Sequence, residues 1–418
     1  MRLEVQVSSM SRSAVASPSD LPKSVTAVPD IEISLLTGGF DKPYAFGLAT
    51  ALAKKGIALD VIGNSYVDSP EMHTTPKLTF KSLYWEPLKE KGAAGKMLEV
   101  LRFYGDLIKY SAAGAPKIFH LLWNNKFPFF DRTVLMLYYK ALGKKIVFTA
   151  HNVNAGKRDG NDSALNRLGL RIQYKLADHI FVHTEKMKQE LFSDFKVPAR
   201  RVTVIPFGIN NSVPDTDLTP AEARRRLGLK DGERVILFFG GVRPYKGLEY
   251  LVDAFNQLGP GNYKLLIAGE AKKGTEQYMD NIQQAIAKAG TGANIIQKLE
   301  YVPDEDAELY FKASDVCVLP YTLVFQSGVL FLSYSFGVPV IATDVGSLSE
   351  DIIPGKTGLL CRPLDAADLA RAIREYFDSE LYRALDHERQ EIRDYANRQH
   401  SWEVVAEMTR QVYTNLLA

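Results

Sequence analysis

The sequence predicts two α/β domains, each built on a doubly wound parallel sheet and facing one another across a cleft. Three observations carry this prediction. Short apolar runs suited to buried strands alternate with longer segments of helical period, the pattern of βαβ units. The 418 residues exceed what a single core of ordinary size accommodates. Near the middle, residues 205–219 (IPFGINNSVPDTDLT) concentrate Pro, Gly, Asn and Asp and read as a linker.

Residues 1–29, rich in Ser, Val, Ala and Pro, read as a loosely ordered leader that lacks a signal-peptide core. The first domain, 30–205, opens with a strand at 31–36, the Gly38-Gly39 turn and a helix from about Pro43 to Lys55. Further strands are expected at 58–62, 117–121, 145–149 and 179–183. The second domain, 206–400, starts at Thr219-Pro220-Ala221-Glu222, a cap followed by a first helical turn. Its strands are expected at 235–239, 264–268, 295–297, 316–319 and 338–342. The last segment, 401–418, carries Trp402, Val405, Met408, Val412 and Leu416 at helical spacing and is expected to pack back on the first domain.

Composition narrows the class. With 46% hydrophobic and 24% charged residues, the chain has the balance of a globular protein. It contains no apolar run of about 18 residues that would cross a bilayer. Cys317 and Cys361 end apolar runs and read as buried small hydrophobes, which fits a reducing, cytoplasmic setting. Net charge is +2, yet residues 30–210 hold 26 Lys+Arg against 17 Asp+Glu while residues 211–418 hold 22 against 30. A basic first half suits either an anionic acceptor or membrane surface, or attraction between the two domains. The helical stretch from Lys96 to Tyr110 mixes Leu98, Leu101 and Phe103 with Lys96, Arg102 and Lys109; it either lies on a membrane or packs on its own sheet. No block of like charge points to nucleic acid.

Two loops carry the chemistry. In FFGGVRPYKG (238–247) a strand runs into Gly240-Gly241 and then Arg243 and Lys246, with a helix beginning near Leu248. In QSGVLFLSYSFG (326–337) Gln326-Ser327-Gly328 opens a helix whose free N–H groups and dipole favour phosphate. One loop is cationic and the other is a helix start, so together they can clamp a diphosphate from opposite sides.

These segments, taken with FTAHN (148–152), IPFGIN (205–210), LLIAGE (265–270) and YVPDEDAELYFKASDVCVLPY (301–321), resemble the group 1 glycosyltransferases. Those are retaining enzymes of the GT-B fold, two Rossmann-like domains, that serve polysaccharide or glycolipid assembly. The resemblance implies a UDP- or GDP-sugar donor, a sugar or lipid-linked acceptor, possible peripheral contact with the inner membrane face, and no metal or other cofactor. It further implies that Lys246, with Arg243, neutralises the departing diphosphate, and that His151 contacts the donor sugar or reaction centre. Gly38, Gly39 and Gly241 are expected to bring backbone close to the donor. Glu270, Tyr301 and Val302 are expected at the nucleoside, and Gln326, Ser327, Gly328 and Val329 at the phosphates and sugar. His120 and Asn124 are secondary candidates for sugar contacts, and His183 is expected to pack beside the sheet.

The chain departs from the family pattern twice. In many relatives an Arg stands where this chain has Gly241. Most also carry two glutamates, one for donor-sugar hydroxyls and one for ribose, at positions occupied here by Val324 and Leu332. Either Gln326 and Ser327 supply the polar contacts and transfer persists, or the protein is a catalytically silent binding or regulatory protein; a nucleotide-sugar epimerase is a third alternative.

Overall fold

The computed structural model describes residues 31–83, 92–114, 116–158, 161–209, 213–259, 261–324 and 326–418. The expected leader, 1–29, lies outside the described residues.

Two wholly parallel sheets organise the chain. The first is ordered β3-β2-β1-β4-β5-β6-β7, from β1 (Glu32–Leu36), β2 (Ala58–Gly63), β3 (Leu78–Ser82), β4 (Ile118–Leu121), β5 (Lys145–Thr149), β6 (His179–Val182) and β7 (Val202–Val204). The second is ordered β10-β9-β8-β11-β12-β13, from β8 (Arg234–Phe239), β9 (Tyr263–Ala268), β10 (Ile295–Lys298), β11 (Val316–Leu319), β12 (Val340–Thr343) and β13 (Gly358–Cys361). Helices cover both faces, so central strands such as IFHL and VCVL are buried along their whole length and read as continuous apolar runs.

Three strands escape the sequence reading: β3, β7 and β13. All three are sheet edges, short and partly exposed, and their sequences (LTFKS, VTV, GLLC) lack the long apolar run of a central strand. The expected strand at 338–342 starts instead at Val340, because Val338 closes the preceding helix. Gly337 takes φ +67°, its N–H donates to the Tyr334 carbonyl at 2.9 Å, and the Val338 N–H reaches back to Ser333 at 2.9 Å. This is the hydrogen-bond pair of a Schellman stop.

Five helices bear on the site and its flanks: α1 (Lys42–Lys54), α2 (Ala93–Ala113), α3 (Leu248–Asn256), α4 (Gly328–Ser335) and α5 (Trp402–Leu417). Helix α5 packs along α1 and adds Val405, Val412 and Tyr413 to the first-domain core. Its Trp402 indole lies in a slot between Gly47 and Gly208, where an added Cβ on either glycine would meet the ring, and its Nε1 donates to the Ile209 carbonyl at 2.9 Å. The Ile209 N–H donates to the His400 carbonyl at 2.8 Å, so the two chain crossings between the domains are tied together. Helix α2 packs on its sheet through Val100, Phe103, Tyr104 and Leu107, while Met97, Leu98 and Leu101 stand exposed on the other side. Among the described residues no helix is long and apolar enough to cross a membrane.

Candidate functional site

In an open parallel sheet, ligands settle at the carboxyl ends of the strands where the strand order reverses. In the second sheet that point lies between β8 and β11. The loops after these two strands are the cationic glycine turn and the polar helix start that the sequence marks for diphosphate binding.

The loop after β8 turns at Gly240, whose φ of +92° suits glycine. The Val242 N–H donates to the Glu270 carbonyl at 2.8 Å, and the Thr322 N–H, from the loop after β11, donates to the Tyr245 carbonyl at 2.8 Å. Gly247, at φ +65°, packs so closely on the Pro320 carbonyl that a Cβ there would collide with it. These ties place Lys246 inside the molecule, only 8% exposed. Its ammonium sits 5.8 Å from the centre of the Tyr321 ring and has no hydrogen bond or carboxylate partner among the described residues. Burial pulls its pKa from the ordinary 10.5 to about 8; Cys317 opposes the fall, while Arg243 and Lys272 add to it. A desolvated cation without a counter-charge is unfavourable unless an anion joins it.

Helix α4 begins opposite. Ser327 is its N-cap residue but makes no capping hydrogen bond, its Oγ lying instead 3.3 Å from the Tyr321 hydroxyl. The Leu330 N–H turns back to the Ser327 carbonyl at 3.1 Å, so the N–H groups ahead of it, at Gly328 and Val329, are the ones left for a ligand. Lys246, Ser327, Gly328 and Val329 share the wall of one cavity of about 310 Å³, and Asp41 and Tyr44 close it from the first domain. Val324 and Leu332, at the positions of the absent glutamates, line the same cavity as apolar side chains. Gln326 is on the wall as well, its amide nitrogen donating to Asp351 Oδ2 at 3.2 Å.

Asp41 escaped the sequence reading, although an Asp just ahead of Lys42-Pro43 is itself a helix-start signal. It is the one carboxylate among the cavity-lining residues. It adopts a left-handed backbone (φ +49°) and its Oδ1 accepts the Tyr44 N–H at 3.3 Å. Burial pushes its pKa up to about 6, against that hydrogen bond and with a smaller push from Asp304.

The first-domain candidates gather behind this wall. Gly38 (φ +65°) and Gly39 (φ +75°) form the turn after β1, and Gly38 presses on the loop after β4, where a Cβ would come 2.6 Å from that of Trp123. His151 stacks on Trp123 with ring centres 4.0 Å apart and lies behind Tyr44 at 4.5 Å, so Tyr44 stands between it and the cavity. The His183 Nδ1–H donates to the Ile205 carbonyl, which makes His183 Nε2 the acceptor of the 3.2 Å bond from His151 Nδ1. His151 Nε2 is then an unprotonated acceptor, buried and without a partner among the described residues. Burial, helped by His183 and His120, holds the His151 pKa well below 6.5, so the ring is neutral. His120 is sealed in the core between the Tyr413 hydroxyl (2.5 Å) and Thr149 Oγ1 (2.7 Å), away from any ligand. Asn124 accepts from the Gln173 amide at 3.0 Å.

The remaining candidates ring the cleft. Arg243 is exposed at the outer edge of its loop. Gly241 packs on Lys272, which pairs with Glu270 at 2.5 Å. Tyr301 is 62% exposed, and Val302 is partly buried beside it. The structure brings Lys246 together with Gln326, Ser327, Gly328 and Val329, and leaves Arg243, Glu270, Tyr301 and Val302 outside that cavity wall. Both cysteines are free and buried. Among the described residues no group of three His, Cys, Asp or Glu could hold a metal ion. Across the cleft mouth Lys186 Nζ donates to the Gly346 carbonyl at 2.6 Å, and Ser347 Oγ lies 2.9 Å from Thr184 Oγ1.

Comparison with known proteins matches both halves. Residues 233–379 match the family model described as "Glycosyl transferases group 1", and residues 43–213 that described as "Glycosyltransferase Family 4". A D-inositol 3-phosphate glycosyltransferase of Mycobacteroides abscessus is 24% identical over 346 residues, spanning 79% of this chain and 75% of that protein. The same-named protein of Mycolicibacterium smegmatis is 23% identical and spans 91% of this chain and 86% of its own. Among solved structures, sucrose-phosphate synthase of Thermosynechococcus elongatus superposes with a TM-score of 0.74 at 22% identity, over 93% of this chain and 99% of that one. Anabaena HepE in complex with UDP-glucose superposes with a TM-score of 0.69 at 16% identity, over 93% and 99%. At these identities the two structures establish the GT-B fold.

Proposed function

The chain belongs to the group 1 glycosyltransferases, and from that premise we propose that it transfers a sugar from a UDP- or GDP-sugar to an acceptor hydroxyl with retention at the anomeric carbon and without a metal ion. The observation that carries this reading is Lys246, a buried cation without a counter-charge among the described residues, on the same cavity wall as the uncapped start of α4. The donor diphosphate fits between them. As the bond from the anomeric carbon to phosphate breaks, negative charge grows on the leaving oxygen, where the ammonium and the α4 N–H groups are already aimed. The acceptor oxygen attacks from the same face, and its proton passes to the leaving phosphate oxygen. This route requires no carboxylate nucleophile. UDP-glucose is the first donor to test, since HepE was solved with it. His151 is neutral and backs Tyr44 on the first-domain side, so it shapes that wall and adds no charge to it.

Incubation with a panel of UDP- and GDP-sugars plus acceptor extracts, with and without a chelator, tests this reading. Release of UDP or GDP that survives chelation and is abolished by Lys246→Ala is expected. Nucleotide binding without transfer from any donor contradicts it and favours a binding protein, while a free altered sugar formed without acceptor points to epimerisation.

The outer face of α2 suits an acceptor held at a membrane. Leu98 is 70% and Leu101 57% exposed, and beyond them Arg102 and Lys109, each loosely paired with Asp106 at 3.9 and 3.8 Å, put mostly exposed cations on the same helix, the mix of apolar and basic groups that an anionic bilayer surface favours. Co-sedimentation with anionic vesicles that Leu98→Glu/Leu101→Glu abolishes is expected; no co-sedimentation of the unaltered protein overturns the membrane assignment alone.

A further inference from the structure

We propose that Gln326 recognises the donor sugar in this chain, in place of the carboxylates absent at Val324 and Leu332, and that Asp351 is the residue that positions it. The proposal rests on the assignment of this cavity to a nucleotide-sugar donor.

Gln326 lies between the end of β11 and the start of α4, on the wall of the cavity that also holds Lys246. If Lys246 and the α4 N–H groups take the diphosphate, the sugar attached to it reaches the neighbouring wall, where Val324 and Leu332 offer no polar atom. The Gln326 amide nitrogen is committed to Asp351 Oδ2 at 3.2 Å, which turns Oε1 the other way. That oxygen is buried and has no hydrogen-bond partner among the described residues. A buried acceptor left unmet is unfavourable, and a sugar hydroxyl is a donor of the right chemistry to meet it.

What holds the amide comes from elsewhere in the fold. Asp351 ends the short helix Leu348–Asp351 and is 9% exposed. Its backbone carbonyl accepts the Tyr334 hydroxyl at 3.1 Å, which fixes its place beside α4. Its other carboxyl oxygen faces His400 Nε2 at 3.9 Å. The His400 Nδ1–H donates to the Phe207 carbonyl at 3.1 Å, and burial brings that ring's pKa down to about 4, so a neutral imidazole faces the carboxyl and no ion pair competes with the amide. The amide is thereby oriented by a residue on another loop, and its Oε1 is left as an unmet neutral acceptor.

The experiment uses the full chain and four proteins: unaltered, Gln326→Leu, Asp351→Leu and Asp351→Asn. Calorimetry compares the affinity for UDP and GDP with that for the matching nucleotide-sugars. For Gln326→Leu, nucleotide affinity within about two-fold of the unaltered protein and nucleotide-sugar affinity about ten-fold weaker are expected, the scale of one lost hydrogen bond. Asp351→Leu is expected to show the same selective loss, whereas Asp351→Asn retains an oxygen that accepts from the amide and restores sugar affinity. Equal loss of nucleotide and nucleotide-sugar binding in Gln326→Leu, or no loss of either, overturns the proposal. So does failure of Asp351→Asn to keep the selectivity. If Asp351→Leu does not fold, the other two variants still decide. If the unaltered protein binds no nucleotide-sugar, the donor reading falls and this proposal with it; if it binds one and Gln326→Leu changes nothing, only this proposal falls.

Discussion

Replacing Lys246 with Met should make the protein more stable and poorer at holding nucleotides at the same time. Met nearly matches the volume of the lysine stem without its charge. The fall of the ammonium pKa from 10.5 to about 8 amounts to about 3 kcal/mol of unfavourable burial at neutral pH. Loss of the cation–π contact over Tyr321 gives back about 1 kcal/mol, leaving a gain of about 2 kcal/mol for the Met variant. The sign follows from linkage. A lysine whose folded pKa is depressed weakens the fold fully below about 8, and the weakening fades as pH rises from there to 10.5. The unaltered protein should therefore gain stability over that window relative to the Met variant. Denaturant titration at pH 7 and pH 10 reads the difference, and calorimetry with UDP and GDP should show at least a hundred-fold loss of affinity, since a charge-assisted contact of about 3 kcal/mol is removed. A Met variant that is less stable at pH 7 and binds nucleotide as well as before would refute the reasoning.

Other outcomes rest on the same geometry. Because free Lys246 is partly deprotonated above pH 8 and a bound diphosphate restores its charge, nucleotide binding at pH 8.5 should take up protons, seen as a binding heat that depends on the buffer's ionisation enthalpy; a buffer-independent heat would contradict this. Trp402→Ala should destabilise by about 3 kcal/mol in thermal or denaturant unfolding, because it empties the slot between Gly47 and Gly208 and removes the bond to Ile209. Asp41, with a folded pKa raised from 3.8 to about 6, weakens the fold increasingly as pH rises through that window. Asp41→Asn should flatten that part of the stability profile, and an unchanged profile would contradict the assignment.

Much of this site was legible in the sequence because its two main parts are local. A strand, a glycine turn and a lysine before the next helix, and a polar helix start after an apolar strand, are each contained within a dozen residues. The central strands were legible for the same reason, being apolar on both faces. The edge strands β3, β7 and β13 were not, since edges need not be apolar throughout. The Gln326–Asp351 pair and the Trp402 slot depend on meetings between distant segments, which no local pattern announces, and Asp41, legible as a helix start, becomes a cavity residue only where the two domains meet. His151 shows the limit from the other side. Its place after β5 was readable, but its burial behind Tyr44 and its neutral state depend on the ring cluster that Trp123, His183 and Phe207 build around it.

The central claim is that Lys246 and the start of α4 hold the donor diphosphate between them. A crystal structure of the unaltered protein with UDP-glucose, or with whichever nucleotide-sugar it turns over, tests this most directly. The account predicts diphosphate oxygens about 3 Å from Lys246 Nζ and from the N–H groups that open α4. A donor bound with its diphosphate away from both would contradict it.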